Sequence, residues 1–455
     1  MINNNNDTIS AIATVIGTGG VSIIRLSGEN SKAVIDKIFF NKSKTKNIEL
    51  KPNGIAHGFI FDDETLVDEV VVLYFQAPHS YTGENVFEIQ CHGGVQVTKN
   101  ILDLTLKNGA RLAEKGEFTK RAFVNGKLDL SQAEAVLDII SAKTKTFAQA
   151  SATNLTGKLA GKINLLRDEV ISLLSNIVAA IDFPEEVEEP DYTLIKNNVE
   201  QIIIEIDKIL AGSKKSNILR QGVKIALAGK PNVGKSSLFN SLLDFDRAIV
   251  TDVAGTTRDI ICENIDIKGI PVTLIDTAGI REIENSTDSN KVENIGIEYS
   301  KRSIDDAEVI VFVTDLSSEI TGEDKQIFEL IKDKKYIVVG TKSDLPQVNN
   351  SFEVNVRVSN VNKDGVSSLL DILADMILQE TNEETEFLTN TRQQEALEKS
   401  KLAFQNALNS IDNFVEQDFI AIDIKTALMH LGEITGDDIN QEILNNIFEK
   451  FCIGK

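Results

Sequence analysis

The sequence predicts a multidomain α/β fold: an α+β region first, then a helical region interrupted by a block in which strands and helices alternate. Three observations predict it. The chain has 455 residues, and single hydrophobic cores stop growing well short of that length. Apolar residues recur at helical spacing on both sides of a central stretch. Within that stretch, short apolar runs alternate with helical patterns, the texture of a mainly parallel sheet.

Residues 1–120 mix strands and helices. Val21-Ser22-Ile23-Ile24-Arg25-Leu26 and Val70-Val71-Val72-Leu73-Tyr74-Phe75 read as strands. From about 121 the pattern turns helical, with Ala133, Val136, Leu137 and Ile140 at spacings of three and four, and more helix over 165–181. The acidic, proline-bounded run Pro184-Glu185-Glu186-Val187-Glu188-Glu189-Pro190 reads as a solvated linker. Residues 218–378 form the alternating block, and 379–455 are helical again. The domains expected are therefore 1–120, 121–217, 218–378 and 379–455, the second and fourth being two parts of one helical domain that hosts the third. Such insertions are tolerated because a domain's termini often lie close together.

Composition excludes several function classes. A net charge of -22 leaves no broad basic face, so RNA would need a local patch or a partner. The three cysteines, Cys91, Cys262 and Cys452, are odd in number and far apart, which argues for a reducing, cytoplasmic location rather than a disulfide framework. Only one of the four histidines, His92, neighbours a cysteine, so no zinc-ligand spacing arises. Residues Met1 to Asp7 are polar and carry no export signal, and no apolar stretch is long enough for a membrane span.

The alternating block carries the chemistry. Gly229-Lys230-Pro231-Asn232-Val233-Gly234-Lys235-Ser236, followed by Ser237, is a P-loop, with the strand-like run 223–228 before it and a helical run after it. Its glycines let backbone N–H groups curl around a β-phosphate, and the helix N-terminus adds positive potential. Lys235 is expected to reach the β- and γ-phosphates, and Ser236 to hold magnesium. Asp276-Thr277-Ala278-Gly279 follows the apolar run 272–275, with the aspartate near the magnesium and the Gly279 N–H near the γ-phosphate. Gly255-Thr256-Thr257-Arg258-Asp259 lies between them and offers Thr257 as a second magnesium ligand. Thr341-Lys342-Ser343-Asp344 follows the run 337–339, and Asp344 can accept from the N1 and N2 hydrogens of guanine, which adenine lacks. In this order the motifs describe a Ras-like GTPase domain. Ile280 occupies the place where many GTPases keep a water-orienting glutamine. Asn232 either caps the loop or offers its side-chain oxygen to a monovalent cation beside the phosphates; the residues alone leave both readings standing.

At this point the chain resembles the MnmE/TrmE family of tRNA-modifying GTPases. The resemblance rests on the run Ala248 to Asp259, on Gly116-Glu117-Phe118-Thr119-Lys120-Arg121-Ala122-Phe123 with Gly126-Lys127-Leu128-Asp129-Leu130, and on the ending Phe451-Cys452-Ile453-Gly454-Lys455. It implies that potassium is bound by Asn232, Thr251, Val253 and Thr256, in a loop where Asp252, Ala254 and Gly255 also approach the nucleotide. It implies that paired G domains close over GTP and that Glu293 is the catalytic glutamate, acting through a bridging water. It implies a homodimer built on an N-terminal domain similar to folate-binding aminomethyltransferase domains, with Arg25, Glu88, Lys127 and Lys455 at a 5-formyl- or 5,10-methylene-tetrahydrofolate. It further implies an FAD-dependent partner of the MnmG type, in a heterotetramer or larger complex. Together they add an aminomethyl or carboxymethylaminomethyl group to carbon 5 of the wobble uridine in the tRNA anticodon region. Cys452 sits where the family has its cysteine, and both a chemical role and an inert one stand.

The chain also departs from the family pattern. Thr341 stands where most members carry asparagine, which predicts weaker nucleotide binding with guanine choice kept by Asp344. Val358-Ser359-Asn360 replaces the usual Ser-Ala-Lys or Ser-Ala-Arg, with the Asn360 N–H still able to meet guanine O6. The run from Thr14 to Gly20 lacks the usual prolines and arginine, and Lys115 replaces a proline. A competing reading is a GTPase module for ribosome or ribonucleoprotein assembly. That class usually appends a basic RNA-binding domain, whereas both flanks here are acidic or neutral.

Overall fold

The computed structural model describes residues 7–188, 190–245, 262–276, 303–348, 352–378 and 387–455. Contacts divide the chain into two compact units: Met1–Leu137 with Asn154–Lys196 and Lys399–Lys455, and Asp138–Thr153 with Asn197–Glu398.

The first unit opens with β1 (Ile9–Ile12), β2 (Val21–Ser27), α1 (Ser31–Ile38), β3 (Phe39–Phe40), β4 (Ile55–Asp62), β5 (Thr65–Phe75), β6 (Val86–His92), α2 (Val95–Lys107), β7 (Arg111–Leu112) and α3 (Glu117–Val124). The strands form one sheet in the order β3-β4-β5-β6-β2-β1-β7. All its pairings are antiparallel except β1 with β7. Alternation along β2 buries Ile24 and Leu26 against Val34, Ile35 and Ile101 of α1 and α2, which turns Arg25 to the other face. The register sets Glu88 of β6 directly opposite Arg25. This cross-strand pair is therefore a product of period-two patterning.

Helices α4 (Leu130–Ser141), α5 (Lys145–Leu155), α6 (Lys158–Asp182), α7 (Tyr192–Ala211) and α8 (Ser213–Gln221) follow. On α6, Leu159, Ile163, Leu166, Val170, Leu173 and Ile177 are buried at spacings of three and four. The acidic run 184–188 is exposed between α6 and α7, as a solvated linker would be. Ala133 is buried, but Ile140 is exposed. Asp138, two residues earlier and so nearly opposite on the helix, is the buried side chain, because Arg220 pairs with it through both carboxylate oxygens.

The second unit contains β8 (Val223–Ala228), α9 (Lys235–Phe245), β9 (Cys262–Ile267), β10 (Ile270–Asp276), β11 (Val309–Asp315), α10 (Gly322–Ile331), β12 (Tyr336–Thr341), β13 (Val356–Arg357) and α11 (Val366–Leu378). Among the described residues these strands order as β13-β12-β11-β8-β10-β9. Only β9 runs antiparallel to its neighbour. Apolar cores lie on both faces, which is why β11 is buried along its whole length and reads as an unbroken apolar run. The first strand, β8, sits between β10 and β11, so the chain goes first to one side of it and then to the other. Ligands of open parallel sheets bind at that switch, beyond the carboxyl ends of the strands.

The chain ends in α12 (Thr391–Asp412), α13 (Gln417–Thr435) and α14 (Gln441–Phe448). In the first unit α13 packs along α6, while Leu444, Ile447, Phe448 and Phe451 pack on Leu130 and Ala133. Among the described residues, no helix is long and apolar enough to cross a membrane.

Candidate nucleotide-binding site

The loop after β8 sits at the switch point. Gly229 has φ +155, and a Cβ there would stand 2.4 Å from the Val313 carbonyl of β11, so only glycine fits. Lys235 is buried on the first turn of α9, and its ammonium donates to the carbonyls of Gly229 at 2.7 Å and Lys230 at 2.8 Å. The ammonium is thereby drawn back over the loop, where phosphate oxygens would be its competing acceptors. Asn232 has φ +65 and is exposed.

Parallel pairing of β10 with β8 sets Asp276 beside Leu227, next to the loop. The Ser236 hydroxyl donates to Asp276 Oδ2 at 3.0 Å. A hydroxyl and a carboxylate at that separation are oxygen donors of the kind a hard divalent cation takes, so the pair fits magnesium.

The base end is built by β11, β12 and the loop after β13. Thr341 is fully buried, and its Oγ1 lies 2.5 Å from the Val233 carbonyl and 3.1 Å from that of Thr314. One hydroxyl thus ties the P-loop to the base loop. Lys342 pairs with Asp315 Oδ2 at 2.6 Å. Burial works to raise the Asp315 carboxyl, but Lys342 and Ser317 more than offset it and hold it below the usual carboxylate range. The Asp344 carboxylate accepts from the Ser359 hydroxyl at 2.8 Å, and Asn360 Oδ1 accepts from Ser241 of α9 at 3.4 Å. Asp315 escaped the sequence reading. Its only local signal is an acid ending an apolar strand.

The structure therefore brings Asn232, Val233, Gly234, Lys235, Ser236, Ser237, Asp276, Thr341, Lys342, Asp344, Ser359 and Asn360 to one crevice beyond the carboxyl ends of β8, β10 and β12. Thr251, Asp252, Val253, Ala254, Gly255, Thr256, Thr257, Thr277, Ala278, Gly279, Ile280 and Glu293 lie outside the described residues. Removing the tie at Thr341 has a measurable consequence. Thr341→Val keeps the shape but leaves the Val233 carbonyl without that hydroxyl, and guanine-nucleotide affinity should fall about tenfold, some 1.4 kcal/mol. Thr341→Asn should tighten binding. Titration of both with a fluorescent GDP checks this, and an unchanged affinity for Thr341→Val would contradict the tie.

The first unit holds a second cluster. The Arg25 guanidinium bonds Glu88 Oε1 at 2.8 Å, donates to the Gly454 carbonyl at 3.3 Å, and lies between the rings of Tyr81 and Phe118 at 5.7 and 5.6 Å. The chain's last residues reach this place by backbone pairing. Phe118 N–H donates to Lys455 O at 3.2 Å, and Gly116 N–H to Cys452 O at 3.4 Å. Lys127 is exposed and donates to the Pro78 carbonyl, on the loop that carries Tyr81. Cys452 is exposed. Arg25, Glu88 and the backbone of 452–455 are thus brought together, with Lys127 on the neighbouring loop. Tyr81 was missed. A partly exposed ring, a guanidinium and a carboxylate fit a flat heteroaromatic ligand with N–H groups, so the donor set suits a pterin.

Beneath this cluster Glu117 and Arg121 are buried rather than presented. Arg121 bonds Asp7, Glu84 and Glu117 at 2.7, 3.1 and 3.1 Å, and Arg111 bonds Asp7 and Glu117 at 2.7 Å each. Burial alone would raise the Glu117 carboxyl, but the two guanidiniums and the Glu114 N–H hold it below its usual range.

Comparison with known proteins agrees with the geometry. The family profile for the GTP-binding protein TrmE N-terminus matches residues 8–127, and that for the MnmE helical domain matches residues 130–452. The tRNA modification GTPase MnmE of Thermoanaerobacter sp. (strain X514) is 44% identical over 463 residues, covering 99% of both chains. Its namesake from Clostridioides difficile (strain 630) is 43% identical over 464 residues with the same coverage. Among solved structures, the G domain of the T. maritima FeoB iron transporter is similar over 35% of this chain and 99% of its own, at 26% identity and a TM-score of 0.25, too loose a fit to add to the fold. Likeness at this level over the full length leaves one conclusion: this chain belongs to the MnmE family of tRNA modification GTPases.

Proposed function

We propose that this chain is a potassium-activated GTPase that, with an FAD-dependent partner of the MnmG type, adds a carboxymethylaminomethyl or aminomethyl group to carbon 5 of the wobble uridine of certain tRNAs. The single observation that carries the GTPase half is the convergence of Lys235, the Ser236–Asp276 pair and the Ser359-held Asp344 in one crevice. Lys235 and the loop N–H groups stabilise charge that grows on the transferring phosphoryl group. Ser236 and Thr257 hold magnesium, which supplies further charge neutralisation at the phosphates. Asn232, Thr251, Val253 and Thr256 hold potassium, Glu293 orients the water that Ile280 cannot, and Asp344 selects guanine.

For the other half, the full-length similarity to tRNA modification GTPases supports tRNA as the substrate. Arg25, Glu88, Lys127 and Lys455 hold a tetrahydrofolate, which supplies the one-carbon unit when bound. Arg25 orients the ligand by charge, and Tyr81 stacks on it. In this reading residues 1–120 also make the homodimer, 218–378 the GTPase domain, and 121–217 with 379–455 the two parts of the helical domain, in a cytoplasmic protein. Closure of paired G domains on GTP, and reopening after hydrolysis, shifts the helical domain between two populations.

Expression in a bacterium lacking its own MnmE-family GTPase tests this. Mass spectrometry of tRNA nucleosides should show the modified wobble uridine restored by the wild-type chain and not by Lys235→Ala or Arg25→Ala. Full restoration by either variant, or none by the wild type, would contradict it.

A further inference from the structure

Beyond the recognised motifs, one acid grips the P-loop. Asp324, in the first turn of α10, is 1% exposed. Its Oδ2 accepts from the Thr321 N–H at 2.8 Å, the Thr321 hydroxyl at 2.7 Å and the Lys230 ammonium at 2.7 Å. Its Oδ1 is buried with no hydrogen-bond partner among the described residues. Capping a helix needs only the first of those bonds, and an exposed side chain can make it. Burying the carboxylate with one oxygen unmatched is costly, and a buried ion pair is a poor source of stability. Such an arrangement is better explained by what it fixes in place.

What it fixes is Lys230. The carbonyl of that residue is one of the two that accept from Lys235 Nζ, so Lys230 is held by Asp324 through its side chain and meets the phosphate-binding lysine through its backbone. The same connection between β11 and α10 begins at Asp315, which pairs with Lys342 of the base loop. One segment thus holds a lysine at each end of the nucleotide crevice.

We infer that Asp324 is a positioning residue for the nucleotide: through Lys230 it fixes the P-loop backbone against α10, so that Lys235 and the loop N–H groups meet the β- and γ-phosphates. The inference rests on the reading of this crevice as the GTP site. Asp324→Asn keeps an oxygen for the Thr321 N–H and loses the charge pair, while Lys230→Met keeps the aliphatic stem and loses the ammonium.

The test is the affinity for fluorescent GDP, with kcat and KM for GTP, in the wild type, both single variants and the double variant, together with melting temperatures. Each single variant should bind GDP about tenfold more weakly and show a raised KM, and the double should be no worse than either single. Asp324→Asn and the double variant should melt close to the wild type, while Lys230→Met, which strands a buried carboxylate, should melt several degrees lower. Unchanged GDP affinity, losses that add in the double variant, or losses that merely track melting would overturn the inference. A wild-type chain that binds no guanine nucleotide would instead sink the GTP reading itself, and the inference with it. Lys230→Met keeps the test decisive if Asp324→Asn fails to fold, since Lys230 caps no helix.

Discussion

Asp344→Asn should weaken guanine-nucleotide binding by two orders of magnitude or more and let xanthine nucleotides in. In the reading above, the Asp344 carboxylate accepts two hydrogens from one edge of guanine, and hydrogen bonds to a charged group are worth about 1.5–3 kcal/mol each. Losing most of both corresponds to roughly a hundredfold or greater loss at about 1.4 kcal/mol per tenfold. The amide that replaces the carboxylate turns one acceptor into a donor that faces a guanine donor. Xanthine carries a carbonyl at that ring position, so the same amide matches it. Ser359 donates to Asp344 at 2.8 Å and can go on donating to the amide oxygen, so the loop should keep its shape. Parallel titrations with GDP and xanthosine diphosphate check the exchange. A uniform loss for both bases would mean that Asp344 supports the loop and does not read the base.

Arg121→Met should destabilise the first unit by about 3–5 kcal/mol, the usual cost of leaving buried charge without its partner. The guanidinium meets Asp7, Glu84 and Glu117, and removing it leaves three carboxylates close together, two of them paired with Arg111. At roughly 2–4 °C per kcal/mol the melting temperature should fall by about 10 °C. The pH dependence separates charge from packing. The Asp7 and Glu117 carboxyls are held below their ordinary range despite burial, so their contribution is present above the unfolded pKa and disappears as pH falls through the lower folded value. The variant has lost that contribution already. Its deficit against the wild type should be largest near neutrality and should shrink as the pH drops below about 4, where carboxylates protonate. Calorimetry at several pH values measures this, and a deficit independent of pH would assign it to lost packing instead.

Legibility followed the range of the interactions. The P-loop is local chemistry: glycines at fixed spacing between a strand and a helix, and the structure puts Lys235 and Ser236 on the first turn of α9 accordingly. The strands β2, β5, β8, β10 and β12 coincide with apolar runs that pattern alone picks out. Residues whose role depends on pairing between distant segments were illegible. Nothing around Thr341 says that its hydroxyl will meet the Val233 carbonyl, because that contact exists only once β12, β11 and β8 lie side by side. Nothing in the sequence around Asp315 or Asp324 points to Lys342 or Lys230, because those pairs form only once β11 and α10 lie beside the P-loop and the base loop. Glu117 and Arg121 read as part of a family motif, yet Arg121 also pairs with Asp7, which comes from the start of the described chain. Ile140 fits the helical spacing and is still exposed, since Arg220 claims Asp138 on the opposite face of α4. Periodicity locates helices well, but a distant charge can decide which face turns inward.

The most direct test of the account is GTP hydrolysis in matched potassium and sodium buffers, for the wild-type chain and for Asn232→Ala. In the proposed reading a potassium ion held by Asn232 stabilises the charge that grows during phosphoryl transfer. Potassium should activate the wild type strongly and the variant little or not at all, with GDP binding retained in both. Equal rates in the two salts, or activation undiminished in Asn232→Ala, would contradict it.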